Sequence, residues 1–248
     1  MEKLLVFDVS GNMGHFRKPY TTTSPLTYPF PPRPALCGLI GAIMGIERDE
    51  YSQLFSPDNC RIALRILGKT RKLKIGINYL NTDSGFKSFY IIKNRKQIPV
   101  EFLVSPAYRI YFHHNDEKIY GRLKSLLENH ETEFTPCLGL AYLLADYNYI
   151  GEFPVEISNF ADRQEARINS VVVMDGKTEI IFDGEGTTGK GEYFSSRMPH
   201  VIEEKTVFHR KTLEYANIVY ENNGEAILCK TANYGRVLMP EPENIVFL

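Results

Sequence analysis

Apolar and polar positions in the first fifty residues follow two periodicities in turn. Lys3–Ser10 is a short run rich in β-forming residues that ends before two closely spaced glycines, which predicts a strand. Residues 12–32 are polar and proline-rich and predict an irregular loop. Apolar residues then recur at helical spacing, and we predict a helix that begins at Pro32 or Pro34 and ends at Gly45.

The next segment has the period of strands. Residues 61–67 alternate apolar and basic side chains, as a half-buried strand does. Two β-prone arms, 72–80 and 86–94, flank the turn-rich segment 81–85. This arrangement predicts a long hairpin, inserted at about 69–98.

The pattern after the hairpin completes an alternation of strands and helices. We predict strands at 99–104 and 108–112, an amphipathic helix at 116–129, and further strands at 146–150 and 154–157. The order is strand, helix, strand, hairpin insert, strand, helix, strand. It predicts a split β-α-β, ferredoxin-like fold, the architecture of RNA-recognition modules.

The C-terminal part of the chain has a different texture. From about residue 158 it consists of short β-prone runs separated by turn residues. We therefore predict an α+β protein with a ferredoxin-like (RRM-like) domain over 1–157, which carries the hairpin, and a smaller β-rich region over 158–248.

Composition excludes several classes of function. No apolar run is long enough for a membrane span, and the first residues resemble a strand rather than a signal peptide. The four cysteines are scattered without a CxxC pair, which favours buried thiols in a reducing cytoplasm over a zinc site. We therefore expect a cytoplasmic protein without a metal or another cofactor.

Charge is distributed unevenly along the chain. The whole chain has a net charge of −1, but residues 61–96 contain ten basic side chains and a single carboxylate, Asp83. Such a local positive field is typical of a site for a polyanion. Aromatic residues interleave with the cations, and aromatic faces stack on unpaired bases. The alternative is a solvated edge hairpin whose lysines prevent aggregation.

A second candidate contact is the loop after the first strand, where glycines let the backbone approach a phosphate and basic side chains supply donors. An ordinary turn is the alternative there. Together, the hairpin and this loop give the candidate RNA-binding residues His15, Arg17, Lys18, Lys69, Arg71, Lys72, Lys74, Lys87, Lys93, Arg95, Lys96, Tyr79 and Phe86.

Two segments raise the question of catalysis. Tyr51, His113, His114 and Lys118 are residue types that serve a metal-independent ribonuclease, but a polar loop leading into a helix is the simpler explanation for the last three, and we favour it. Residues 184–191 resemble a phosphate-binding loop, but the last position is glycine instead of Ser or Thr, and no helix is predicted after it. We expect a glycine loop rather than a nucleotide-hydrolysing site.

Residues 4–46 resemble the N-terminal signature of the Cas-five family of CRISPR-associated proteins, in the RAMP superfamily, and particularly its type I-B branch. The shared features are the first strand, a loop ending in His-Phe-Arg, a Tyr-Pro-Phe-Pro-Pro stretch and a glycine-spaced helix. The basic insert resembles the family's thumb hairpin, and residues 136–139 resemble its Pro-x-Leu-Gly turn.

The resemblance implies a ferredoxin-like RNA-recognition domain with a thumb that caps the 5′ handle of the CRISPR RNA in a Cascade complex. It implies as partners the CRISPR RNA, the backbone (Cas-seven) subunit, the large (Cas-eight) subunit and, indirectly, target DNA. In type I-C relatives the protein cuts precursor RNA with tyrosine, lysine and histidine, for which Tyr51, His113, His114 and Lys118 are the candidates here. Type I-B systems usually assign cutting to a separate endoribonuclease, so we expect a non-catalytic role.

Overall fold

A computed structural model describes residues 2–21, 23–80, 95–182, 191–206 and 209–248. Strands predominate in these ranges, and the helices are few, so the fold is mostly β. The helices are α1 (Arg33–Met44), α2 (Tyr51–Leu54) and α3 (Glu117–Asn129). The strands are β1 (Lys3–Ser10), β2 (Met13–Gly14), β3 (Cys60–Ile66), β4 (Arg71–Leu80), β5 (Arg95–Val104), β6 (Ala107–His114), β7 (Asp146–Ile168), β8 (Val172–Val173), β9 (Glu179–Ile180), β10 (Tyr193–Thr206), β11 (His209–Glu221), β12 (Ile227–Val237) and β13 (Glu243–Ile245).

One antiparallel sheet organises the molecule. Its strand order is β13-β12-β7-β1-β6-β3, and β9 pairs with β12 beside this path. Two smaller sheets accompany it, β10-β11-β8 and β2-β5-β4. None of the described helices is both long and apolar enough to cross a membrane.

The centre of the main sheet is buried on both faces because β1 is an almost unbroken apolar run. Leu5 and Phe7 point to a large core shared with α1 and α3. Leu4 and Val6 point to the opposite face, where they pack with residues of β12 and β13. Both faces of the central strand are therefore covered by protein.

Helix α1 begins and ends where the sequence predicts. Prolines occupy its first turn, and Gly45 follows its last residue in the left-handed conformation at φ 66°. Within the helix, Gly38 and Gly41 face Tyr51 of α2. Because these glycines have no side chains, Tyr51 packs close to the α1 backbone.

Helix α3 coincides with the amphipathic helix predicted at 116–129. The Asp116 side chain accepts a hydrogen bond from the backbone N–H of Lys118, which caps the helix. Leu123 and Leu127 are buried on its inner face.

The predicted hairpin is present as a longer ribbon with a different second arm. β4 pairs with β5 from Arg71 opposite Val104 to Leu80 opposite Arg95. The predicted strand at 99–104 is the base of this second arm, and the predicted arm at 86–94, with the turn before it, lies outside the described residues.

The predicted strands at 146–150 and 154–157 are parts of one continuous strand, β7. Its first half pairs with β1 and its second half with β12, and a register shift lies between Val6 and Phe7 of β1. The predicted domain boundary at 157/158 falls inside this strand, and C-terminal residues such as Met198 and Ile218 belong to the same core as β1. The division into two domains stays a prediction.

Candidate nucleic-acid interface

The ribbon formed by β4 and β5 has one apolar face and one polar face. Residues opposite each other in an antiparallel pair point to the same side. Ile75 and Val100 therefore share a face with Phe102, and these side chains pack with Leu140 and Leu143 of the loop before β7. This apolar contact fixes the base of the ribbon to the body of the protein.

Four basic side chains of the ribbon are available to a polyanion. All four are exposed, and none forms a hydrogen bond or an ion pair in the described part of the chain. Lys74 and Arg95 lie on the polar face, while the other two lie at the ends of the apolar face. The four residues are Arg71, Lys74, Arg95 and Lys96.

Two predicted cations are instead used within the protein. Lys72 Nζ donates to the carbonyl oxygen of Thr27 at 3.1 Å and to Glu101 Oε2 at 3.2 Å. Lys69 forms an ion pair with Glu192 at 3.3 Å. Lys72 thus joins the N-terminal loop to the ribbon, and Lys69 joins the start of the ribbon to the C-terminal part of the chain.

His15 is buried, with 3% of its surface exposed. Its Nδ1 donates to the carbonyl oxygen of Glu101 at 2.7 Å, and its backbone N–H donates to Leu138 at 2.9 Å. Gly139 makes this packing possible, because a Cβ there would lie 2.0 Å from the His15 carbonyl oxygen. His15 therefore anchors the loop, and this burial contradicts its predicted place at an RNA-contacting surface.

The other two predicted residues of the N-terminal loop reach its surface. Arg17 is exposed and donates to the carbonyl oxygen of Thr21 at 3.2 Å. Lys18 is half-buried, and its Nζ lies 5.5 Å from the centre of the Tyr28 ring. Both cations remain close to solvent, where a phosphate can reach them.

Tyr79 is 40% exposed and lies opposite Lys96. Burial, then the charge of Tyr79 and a hydrogen bond with it, raise the pKa of its neighbour Tyr142. The two side chains are exposed and joined by this hydrogen bond beside the ribbon. Three predicted RNA contacts, Phe86, Lys87 and Lys93, lie outside the described residues, as do residues 184–190 of the glycine loop.

The candidate catalytic residues are not brought into one cluster by any described contact. Both ring nitrogens of His114 are engaged, since Nδ1 accepts from the Asp116 N–H at 2.9 Å and Nε2 donates to Leu54 at 3.1 Å. His113 points to the opposite face of the sheet and donates to the Lys3 carbonyl oxygen at 2.9 Å. His114 therefore has the role of a buried structural histidine.

The two remaining members of that set lie elsewhere. Tyr51 is buried against α1 and lines a cleft beside it, and Lys118 is exposed on the first turn of α3. Among the described residues, no group of three or more His, Cys, Asp or Glu side chains is placed to hold a metal ion.

A cleft that the sequence did not predict lies between the N-terminal loop, α1 and the β10-β11 ribbon. Its volume is about 520 Å³, and Phe16, Tyr28, Leu39, Pro199 and Ile202 are among the residues that line it. These residues are distant in sequence and have no shared motif. No local pattern in the sequence marks the cleft.

Two solved structures of CRISPR-associated proteins share this fold. A CRISPR RNA-guided surveillance complex chain has a TM-score of 0.53 and 12% identity, over 89% of this chain and 90% of that one. A CRISPR protein from Archaeoglobus fulgidus has a TM-score of 0.56 and 12% identity, over 99% of both chains. At this identity both likenesses describe the fold.

A family model described as CRISPR-associated protein (Cas_Cas5) matches residues 4–214. The chain therefore belongs to the Cas-five family, which confirms the family resemblance drawn from residues 4–46, while the type I-B branch stays a prediction. No curated protein matches the chain.

Proposed function

We propose that the protein is an RNA-binding subunit of a type I-B CRISPR surveillance complex (Cascade) and caps the 5′ handle of the CRISPR RNA. Family membership supports a role in CRISPR defence. A structural relative is described as an RNA-guided surveillance complex, which supports a place in such an assembly. The proposed partners are the CRISPR RNA, the backbone and large subunits and, through them, target DNA, all in the cytoplasm.

The strand order supports a ferredoxin-like interpretation of the N-terminal part. The elements β1, α1, β3, β6, α3 and β7 follow one another as β-α-β-β-α-β, and the four strands lie side by side as β7-β1-β6-β3. We interpret β4 and β5 as the thumb inserted between β3 and β6. In this interpretation the RNA is held by the thumb and loops, because both faces of β1 are covered.

The observation that carries the proposal is the set of unpaired cations on the ribbon. Arg71, Lys74, Arg95 and Lys96 have no carboxylate partner in the described chain, and all four lie on the one ribbon of β4 and β5. Phosphates that pair with these cations release condensed counterions, which supplies affinity without reading sequence. Exposed cations on a rigid two-stranded ribbon therefore suit the backbone of a single-stranded RNA.

The test is a charge reversal of these four residues to glutamate in the full-length protein. Binding of fluorescein-labelled repeat RNA is measured by anisotropy over a salt series. Each lost phosphate contact reduces the slope of log K against log salt by about 0.7. Lys177→Glu, on the turn between β8 and β9, is the matched control. Equal affinity and equal salt slope for the reversed ribbon and the native protein overturn the proposal.

A non-catalytic role is part of the proposal. The engagement of both His114 ring nitrogens by the backbone supports it, because a general acid or base needs a nitrogen free to exchange a proton. The purified protein is incubated with repeat RNA and EDTA, and we expect intact RNA. Cleavage within the repeat that disappears in His113→Ala or Lys118→Ala contradicts this role and establishes a metal-independent endoribonuclease. Because His114 is a packing residue, these two variants are better tests than His114→Ala.

A further inference from the structure

The cleft beside α1 has the character of a ligand site. Its volume of about 520 Å³ lies within the roughly 300–1,000 Å³ of pockets that hold small organic groups. Its α1 wall includes the small residues Ala35, Gly38 and Ala42, which leave room beside the helix. Pro199 and Ile202 of β10 form the opposite wall.

An unsatisfied hydroxyl lies in the wall of this cleft. Tyr28 is 1% exposed, and its Oη has no hydrogen-bond partner among the described residues. A buried hydroxyl is rarely left unpaired, because the loss of its hydrogen bonds to water is then uncompensated. The hydroxyl of Tyr28 is thus placed to bond a group that enters the cleft.

Aromatic and cationic side chains surround Tyr28. Lys18 Nζ lies 5.5 Å from the centre of the Tyr28 ring, and the Arg197 guanidinium lies 5.1 Å from the centre of the Tyr215 ring. The pKa of Tyr28 is raised to about 12, mainly because Tyr28 is buried and secondly by the charges of Tyr20 and Tyr215. Both of these neighbours are exposed. No carboxylate is among the described residues that line the cleft.

We propose that this cleft binds an unpaired nucleobase of single-stranded RNA. The Tyr28 hydroxyl bonds a polar edge of the base, the exposed rings of Tyr20 and Tyr215 stack on it or its neighbour, and Lys18 and Arg197 contact the flanking phosphates. The inference rests on the proposed function and adds a second RNA contact to the ribbon.

The chemistry of the cleft favours a base over an apolar protein side chain. A protein side chain needs neither the unpaired hydroxyl nor cations at the rim, whereas a nucleotide uses both. Leu140 lines the cleft and also packs on the apolar face of the ribbon, so the two surfaces adjoin. A single strand held by the ribbon can therefore continue into the cleft.

The first test is Tyr28→Phe, which is expected to weaken RNA binding without lowering the stability of the protein. Because Oη has no hydrogen-bond partner in the part of the chain that the structure describes, its removal leaves the thermal midpoint unchanged or higher. Loss of one hydrogen bond to the base weakens binding of oligouridine or oligoadenosine, read by anisotropy, about 3- to 10-fold. Unchanged affinity for both oligonucleotides overturns the role of this hydroxyl.

The second test compares two neighbouring exposed residues of β11. Tyr215→Ala removes a stacking face and weakens RNA binding about 5-fold or more, while Leu213→Ala, of similar exposure, leaves it unchanged. If both variants keep their RNA affinity but lose association with a complex subunit, the cleft is a protein-docking site and the inference is wrong.

The ribbon variants separate this inference from the proposed function. If charge reversal of the ribbon weakens RNA binding but Tyr28→Phe and Tyr215→Ala do not, the function stands and the cleft site fails. If none of these changes matters, both fail. Direct support comes from 4-thiouridine-substituted RNA, which on irradiation is expected to cross-link to a peptide containing Tyr20, Tyr28 or Tyr215. Cross-links confined to ribbon peptides contradict the cleft site.

Discussion

Glu243, in the last strand β13, has a buried carboxylate. Its contacts hold β13 against the face of the main sheet opposite α1 and α3. Its side chain is 7% exposed and accepts hydrogen bonds from Arg65 Nη1 at 2.8 Å, from Arg109 Nη1 at 2.8 Å and from the Tyr111 hydroxyl. Burial and the charge of Glu243 raise the pKa of Tyr111, which keeps that hydroxyl a donor. We predict that Glu243→Gln is strongly destabilising, although it conserves shape.

The magnitude follows from the exposure of the partners. Removing one member of a fully buried charge pair costs about 3–5 kcal/mol. The two arginines are 27% and 18% exposed, and Arg109 keeps a second partner in Asp8, so water and Asp8 offset part of the loss. We therefore expect the free energy of unfolding to fall by about 2–4 kcal/mol.

Equilibrium unfolding in urea, followed by tyrosine fluorescence or circular dichroism, measures this change. Glu241→Gln is the matched control, because Glu241 is exposed in the same segment, and it should change stability by less than about 0.5 kcal/mol. A double-mutant cycle with Arg65→Met should give a coupling energy of about 1 kcal/mol or more. A loss below about 1 kcal/mol for Glu243→Gln refutes the argument that this network holds the C-terminal strand on the sheet.

Two further predictions concern stability. Gly38→Ala should raise the free energy of unfolding by about 0.5–1 kcal/mol, because its Cβ meets Tyr51 at an ordinary 3.6 Å and alanine favours the helix. Gly139→Ala should lower the free energy of unfolding by about 2 kcal/mol or more, because the φ of Gly139 is +95° and a Cβ there would lie 2.0 Å from the His15 carbonyl oxygen. Urea unfolding measures both variants. If both substitutions change the stability in the same direction, the geometric argument is wrong. Burial, then the charge of Arg33, lowers the pKa of His200 below its ordinary 6.5, so protonation favours the unfolded chain and stability falls as the pH falls below about 6.5. Between pH 7.5 and pH 5, the native protein should therefore lose unfolding free energy relative to His200→Gln. A difference between the two proteins that does not change with pH contradicts this prediction.

Local signals in the sequence were sufficient where one element determines its own ends. Helix α1 shows this best, since prolines at its start and Gly45 at its end are conformational requirements of the backbone. The Asp116 cap of α3 is equally local. Charge composition also identified the ribbon. Its cations are close together in sequence, so they stay close together once β4 and β5 pair.

Contacts between distant segments were not predictable in the same way. The insert is predicted to end at about residue 98 and a new strand to begin at 99, yet β5 runs through this boundary, with Pro99 opposite Gly76. The histidine of the N-terminal loop was read as a phosphate ligand because neither Glu101 nor Gly139, which enclose it, is near it in sequence. The cleft was missed for the same reason, since its walls come from the first quarter of the chain, from the middle at Leu140 and from the last quarter.

The way the main sheet is covered decides where a partner can bind. An RNA-recognition sheet that stacks bases needs one open face, but here α1 and α3 cover one face of β1, and β13 with its Glu243 network covers the other. A base can then stack only on side chains outside that sheet. The described chain offers two such places, the ribbon with its unpaired cations and the tyrosine-lined cleft, and Leu140 contacts both. If the RNA is held as we propose, substitutions in either place should weaken binding without loosening the sheet, while substitutions in the Glu243 network should do the reverse.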